Sequence, residues 1–197
     1  INLVVKHGVM PATGTLSVRF GDIPYTPEVG HNPALTSADV SHLSGLLQAV
    51  GFASKAPNGV GSATLTQLSG SELKLAYDVT NAESFGGMIA TFDDYGDTSV
   101  QSQDLSSLTN LVLGLKLASG TGDVYLELQD ASGSKSSVLL KGIGTTEQFY
   151  QVALSLFSGV DLSAIASINL VVKHGVMPAT GTLSVRFGDI PYVPVMN

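Results

Sequence analysis

The chain has 197 residues, a net charge of −7, and neither cysteine nor tryptophan. The length suits one large domain or two small ones, and the acidic balance has the wrong sign for a nucleic-acid partner. No apolar run is long enough to span a bilayer, so we expect no membrane insertion. The composition is rich in Gly, Ser, Thr and Ala and poor in Lys, a balance that favours a secreted or cell-surface location.

The first 25 residues recur letter for letter as residues 168–192. Each copy alternates apolar and polar residues on both sides of a loop with one proline, which predicts a two-stranded β-hairpin. The alternation alone leaves open which set points inward. We interpret residues 1–25 as the last two strands of a preceding tandem repeat.

The two copies are expected to compete for one position, because a single sandwich has one natural place for its last two strands. The C-terminal copy has the shorter connection and should fill that place at a lower cost in loop entropy. The N-terminal copy is then expected to pack against a neighbouring copy of the domain, head-to-tail, by strand or hairpin donation.

A linker and one helix are predicted next. Pro27, Gly30 and Pro33 predict an irregular linker over residues 26–34. Residues 37–50 are predicted as the accessory helix, with Gly51 as its stop. Its apolar side chains recur at helical spacing on one face: Val40, Leu43, Leu46, Leu47 and Val50.

Everything after Gly61 alternates or runs apolar at strand length. We therefore expect one domain over residues 35–192, with residues 193–197 starting the next linker. About nine strands at this spacing predict a β-sandwich or a barrel. They are Ala63–Leu68, Glu72–Thr80, Phe85–Phe92, Leu108–Ala118, Asp123–Gln129, Lys135–Lys141, Gln148–Leu156, Ser167–Lys173 and Thr180–Phe187.

The order of several phrases is similar to a known family. GSELKLAYDV, SFGGMIATFDDYG, VYLELQDASGSK and FYQVALSLFSGVDLSAIASINLVV follow one another. Over about residues 60–190 this resembles the galactose-binding-like jelly-roll domains of bacterial secreted proteins, which include many carbohydrate-binding modules. The resemblance implies an all-β jelly-roll β-sandwich of two antiparallel sheets, here as a tandem repeat unit with one short accessory helix.

The chain departs from that family in its aromatic residues. The family usually has a tryptophan near the start of the EQFYQ strand, where this chain has Phe149 and Tyr150. Sugar-binding members commonly present exposed tryptophan platforms, because a flat ring stacks on the C–H face of a sugar. Most phenylalanines of this chain fall on strand patterns that look buried.

Acidic residues suggest a structural calcium ion. Asp93, Asp94 and Asp97 form the densest acidic cluster, and oxygen-rich loops of this kind bind Ca²⁺. The family often holds a structural calcium with an acidic residue of the final strand, and Asp189 matches that place. If calcium is bound, chelation should lower the melting temperature.

No catalytic motif is present, so we do not expect an enzyme. The favoured interpretation is a non-catalytic structural repeat, a spacer or stalk of a large surface adhesin or filament. The alternative is a carbohydrate-binding module that takes a glycan. An aromatic pair exposed on one sheet would favour sugar binding, whereas smooth polar faces would favour the spacer.

Overall fold

The structure, a computed structural model, describes residues 26–35, 48–57, 59–69, 72–96 and 98–187. The N-terminal copy of the duplicated segment, most of the predicted helix and residues 188–197 lie outside these ranges. The domain boundaries predicted at residues 25, 34 and 192 therefore stay predictions.

Eleven strands form within these ranges, and all nine predicted strands are among them. Two single 3₁₀ turns, Leu154–Leu156 and Leu162–Ala164, are the helical elements described, and neither could cross a bilayer. The strands are β1 Glu28–Gly30, β2 Gln48–Ala53, β3 Ser62–Ser69, β4 Glu72–Asp78, β5 Phe85–Thr91, β6 Asn110–Leu117, β7 Gly122–Asp130, β8 Lys135–Ile143, β9 Gln148–Ala153, β10 Ile165–Lys173 and β11 Thr180–Phe187.

The strands build two sheets packed face to face, which confirms the predicted jelly-roll sandwich. The six-stranded sheet has the order β1-β8-β7-β10-β5-β2, and the five-stranded sheet has the order β3-β4-β11-β6-β9. All pairs are antiparallel except β1 with β8. Alternate residues of every central strand point between the sheets, and Leu75, Met88, Leu115, Leu126 and Leu170 are fully buried there.

The predicted helix is wrong at its C-terminal end. Gln48, Ala49 and Val50 belong to β2, which pairs with β5 along its whole length. Cross-strand pairing overrides the helical spacing of the apolar residues here. Gly51 continues the strand and packs against β3, where an added Cβ would lie 2.9 Å from the carbonyl oxygen of Ala63. Residues 37–47 of the predicted helix lie outside the described ranges.

The predicted linker also contains a strand. Glu28–Gly30 adds to the edge of β8 in parallel, and the carbonyl oxygen of Pro27 accepts a hydrogen bond from the amide of Leu139. Proline has no amide hydrogen, but its carbonyl can still enter a ladder at a sheet edge. Asn32 then donates its amide to the carbonyl of Phe149 in β9. This segment therefore bridges one edge of each sheet.

The C-terminal copy of the repeat is not a hairpin. β10 lies in the six-stranded sheet between β7 and β5, whereas β11 lies in the five-stranded sheet between β4 and β6. The connecting loop crosses from one sheet to the other, because each strand finds two partners in its own sheet. The residues of this copy that point into the core are Ile168, Leu170, Val172, Met177, Leu183, Val185 and Phe187.

Candidate functional site

The outward face of the six-stranded sheet carries the candidate site. Strand alternation sends odd-numbered residues of β5, β7 and β10 to this face, and cross-strand register aligns them in rows. A depression of about 450 Å³ lies over the middle of the sheet. Its walls and floor come from five strands: Phe52, Phe85, Ile89, Glu127, Lys135, Asn169, Val171 and Lys173.

Two phenylalanines form an aromatic pair at one side of the depression. The ring centroids of Phe52 and Phe85 lie 6.4 Å apart with a tilt of 54° between the rings. Both side chains are half-buried, so part of each ring faces solvent. The ring of Phe52 lies over Gly87, its cross-strand partner, where an added Cβ would lie 2.8 Å from Phe52 Cζ. The glycine thus lets the ring lie over the sheet surface.

A third aromatic ring lies across the sheet. Tyr125 of β7 faces outward beside Val171, and the Lys173 ammonium sits 4.2 Å from the centroid of its ring. This cation–π contact holds the ring and the ammonium together at the margin of the depression. Phe52 and Tyr125 thus lie in one row across the sheet, with Gly87 and Val171 between them.

The polar centre consists of Glu127 and Asn169. Asn169 Nδ2 donates to Glu127 Oε1 at 3.0 Å, and Lys135 Nζ lies 3.1 Å from the same oxygen. Asn169 is only 2% exposed, and its Oδ1 has no hydrogen-bond donor among the described residues. A buried acceptor without a partner costs about 1–3 kcal/mol, so a donor from a ligand or a water molecule would be favourable there.

A second depression of about 280 Å³ adjoins the first, since Ile89 lines both, and we call the two together the groove. Polar groups from strand ends and loops surround it, including Thr91, Asp93, Gln129 and Ser167. Tyr95, which also lines it, is 59% exposed. Tyr95 has φ +55, uncommon for a residue with a side chain, and its amide donates to Asp93 Oδ1 at 3.2 Å. The loop thus presents an exposed phenol at the far end of the groove.

The predicted calcium ligands are brought together only in part. Asp93 and Asp94 lie in one loop, where Asp94 Oδ1 accepts from the Gly96 amide at 2.8 Å. Asp97 and Asp189 lie outside the described residues. Within the described ranges no three acidic or histidine residues group as a metal site. The calcium site stays a prediction that depends on Asp97 and Asp189.

Asp130 fixes the turn between β7 and β8 that borders the second depression. Its carboxylate accepts hydrogen bonds from the Ser132 hydroxyl at 2.6 Å and from the amides of Ser132, Ser134 and Asp161. These bonds, led by that of the Ser132 side chain, hold the pKa of Asp130 below its ordinary value. The sequence from Asp130 to Gly133 predicts a hairpin turn with glycine where a positive φ is needed, and the structure confirms it, with Gly133 at φ +88.

A group whose pKa is lowered by folding stabilises the native state above its unfolded pKa, and that contribution is lost as the pH falls. We expect Asp130→Asn to lower the melting temperature at pH 7, because an amide nitrogen then faces backbone donors. We also expect this difference from the wild type to shrink below about pH 4, measured by thermal unfolding. Asp94→Asn in the exposed loop is the control, and an equal loss at pH 7 in both variants would contradict the role of Asp130.

The sequence interpretation missed most of this site. Phe52 and Phe85 face solvent in part, whereas the strand patterns suggested buried phenylalanines. No role was predicted for Glu127, Asn169 or Lys173. Along β7, however, Tyr125, Glu127 and Gln129 alternate with buried residues. That alternation was a readable signal of a polar and aromatic outward face.

The fold is similar to that of known carbohydrate-binding modules. The family 11 module of the cellulosomal cellulase Lic26A-Cel5E of Clostridium thermocellum gives a TM-score of 0.50 at 12% identity, covering 75% of this chain and 91% of that chain. A family 11 module from Clostridium thermocellum in complex with a β-1,3-1,4-mixed-linked tetrasaccharide gives 0.52, with the same identity and coverage.

A third structure, PfGH50B, gives a TM-score of 0.50 at 12% identity and covers 75% of this chain but 23% of that chain. No protein-family model and no curated protein sequence matches. At this level of identity the likeness establishes the fold, a jelly-roll sandwich of the kind found in carbohydrate-binding modules.

Proposed function

We propose that this chain is a non-catalytic carbohydrate-binding module that takes an extended oligosaccharide across the outward face of the six-stranded sheet. The observation that carries the proposal is the half-exposed pair of Phe52 and Phe85 beside the polar centre of Glu127 and Asn169. A sugar ring has apolar C–H faces and a rim of hydroxyl groups, and this surface offers a partner for each.

The aromatic rings would bind the C–H faces. Phe52 and Phe85 form one wall, and Tyr125 lies across β10 from them. Phenylalanine and tyrosine rings are smaller platforms than the tryptophans usual in sugar-binding modules, so less apolar area is covered per sugar. Several contacts along a chain of sugars would compensate, which favours an oligosaccharide over a single sugar.

The polar centre would bind hydroxyl groups. Glu127 offers carboxylate oxygens, and Asn169 Nδ2 holds one of them in place at 3.0 Å. Sites built to hydrogen-bond a ligand hydroxyl discriminate strongly against analogues that lack it, because the buried polar group is then left unpaired. Glu127, whose side chain is 22% exposed, is thus placed to select a sugar with a hydroxyl at that point.

The length of the groove supports an extended ligand. The two depressions meet at Ile89, and exposed Tyr95 lies at the far end of the second. The similarly folded family 11 module was solved with a tetrasaccharide. A ligand of several sugar units would reach from the phenylalanine pair towards the loop of Asp93 and Tyr95.

The carboxylates of the groove favour binding over hydrolysis. Glycoside hydrolases use a pair of carboxyl groups, one of them free to donate a proton. Here Glu127 is engaged by Lys135 and Asn169. Asp93 accepts a hydrogen bond from the Tyr95 amide, and Asp130 accepts four within its own turn and from Asp161. We accordingly propose a binding role without catalysis, in a secreted or cell-surface protein.

The duplicated segment favours a second role, that of a repeat unit in a larger secreted protein. Identical 25-residue segments are typical of tandem arrays. The spacer, adhesin or filament role and head-to-tail association stay predictions, since residues 1–25 lie outside the described ranges. A binding module can also be a repeat, so the two roles are compatible.

Affinity electrophoresis tests the proposal. We expect the full chain to be retarded in gels that contain a soluble neutral polysaccharide, with mixed-linkage β-glucan as the first probe and xylan and agarose as further probes. Bovine serum albumin in the same gels controls for non-specific retardation. If no neutral polysaccharide retards the chain while far-UV circular dichroism shows a folded β protein, the proposed function is wrong.

A further inference from the structure

The duplicated segment can be compared with the place that its C-terminal copy occupies, which we call the central slot. This slot is the space filled by residues 168–187. β10 pairs with β7 and β5, and β11 pairs with β4 and β6, so the slot runs through the middle of both sheets. Without its occupant, four strands would each lose a partner and the core would be open.

The slot is selective for the sequence that fills it. Gly181 lies beneath Tyr77, and an added Cβ would lie 2.6 Å from the Tyr77 hydroxyl oxygen, so a larger residue there would force the buried Tyr77 ring to move. Arg186 reaches Glu147 at 2.8 Å and Glu72 at 3.6 Å across the five-stranded sheet. Gly181, Arg186 and every buried apolar residue of the segment have an identical counterpart 167 positions earlier. These counterparts are Ile1, Leu3, Val5, Met10, Gly14, Leu16, Val18, Arg19 and Phe20.

We infer that the central slot accepts either copy, so that residues 1–20 can replace residues 168–187 within the same chain and restore the sandwich as a circularly permuted arrangement. Identical side chains in an identical order satisfy the same contacts. This inference is independent of what the groove binds.

The connection from the N-terminal copy is long enough for this exchange. With Phe20 at the position of Phe187, the chain leaves the slot beside Leu113, whose neighbour across the sheet is Tyr150. Asn32 already bonds to Phe149, next to that point. The gap is two strand spacings and one hydrogen bond, about 15 Å, whereas twelve residues extend up to about 40 Å.

The C-terminal copy should hold the slot in the wild type. It is joined directly to Ile165, Ala166 and Ser167, which are buried, and the Ala166 carbonyl accepts from the Phe92 amide. Exchange within one chain and donation from a second chain both displace an identical copy and bury no additional apolar surface, so the hydrophobic effect favours neither. A tethered copy acts at a higher effective concentration, which favours exchange within one chain.

Three full-length variants test the exchange, because two aspartates in the core should exclude a copy from the slot. The first carries Leu183→Asp and Val185→Asp, the second carries Leu16→Asp and Val18→Asp, and the third carries all four. Urea unfolding followed by far-UV circular dichroism should show a cooperative transition for the first and second variants. The third should have no folded baseline.

Folding of the first and second variants decides whether the inference holds. A first variant as unfolded as the third would overturn the inference, as would a second variant that fails to fold. Light scattering with size-exclusion chromatography supplies the other readout. The first variant should be monomeric, and an oligomer that alone carries the folded signal would show donation between chains and refute exchange within one chain. Loss of glycan binding with the fold intact would concern the proposed function of the groove and would not contradict this inference.

Discussion

Gly87→Ala is expected to weaken both the fold and ligand binding. Gly87 faces outward on β5, and an added Cβ would lie directly against the carbonyl oxygen of Leu170 and 2.8 Å from the ring of Phe52. The added methyl group would therefore push β5 and β10 apart, because backbone cannot give way as a flexible side chain can, and would also displace the Phe52 ring. Overpacking of this kind costs typically about 1–3 kcal/mol, occasionally more.

Urea unfolding and affinity electrophoresis measure the two effects of Gly87→Ala. Gly30→Ala is the matched control, because an added Cβ there meets nothing within 4 Å; its stability should change by less than about 0.5 kcal/mol. An unfolding midpoint for Gly87→Ala equal to that of the control would contradict the close approach of β10 and Phe52 to this glycine.

Phe52→Ala and Phe85→Ala are each expected to weaken glycan binding tenfold or more. Aromatic anchors in a binding surface commonly contribute over 1 kcal/mol, and about 1.4 kcal/mol corresponds to a factor of ten in Kd. The pair lines one wall of the groove, so truncation of either ring removes stacking area and exposes the other. Titration with the polysaccharide that retards the wild type gives the change in Kd.

The other sheet offers a control with the same chemistry. Phe149 is half-buried on the outward face of the five-stranded sheet, where its ring approaches Gly114. Phe149→Ala removes an equal ring far from the groove and should leave Kd within about twofold. Equal losses from Phe149→Ala and Phe52→Ala would place the binding surface elsewhere and would refute the groove as the site.

The nine strands from Ala63 to Phe187 could be predicted because each alternates or runs apolar at strand length within its own residues. Residues of β7 alternate between the core and the groove, and a period of two is visible in the sequence without knowledge of any partner. The turn at Asp130 was equally local, since glycine at positive φ and a side chain that bonds its own backbone need only neighbouring residues.

Segments whose conformation depends on a distant partner were predicted wrongly. Gln48–Val50 has helical spacing but pairs with β5 about forty residues away, and Glu28–Gly30 is a strand only because the edge of β8 is free to receive it. The same reason explains the false hairpin: two strands joined by a short loop were assigned to one sheet, whereas β10 and β11 each have two partners in different sheets.

The sequence by itself determined the all-β class, the strand positions and the duplication, because these depend on residue type and short-range order. Only the tertiary structure decided which side chains share a surface. Phe52, Phe85, Glu127 and Asn169 come from four strands that are far apart in the chain, and the register between strands brings them to one face. Register is fixed by burial of the opposite face, so the groove arises where the core has already aligned the strands.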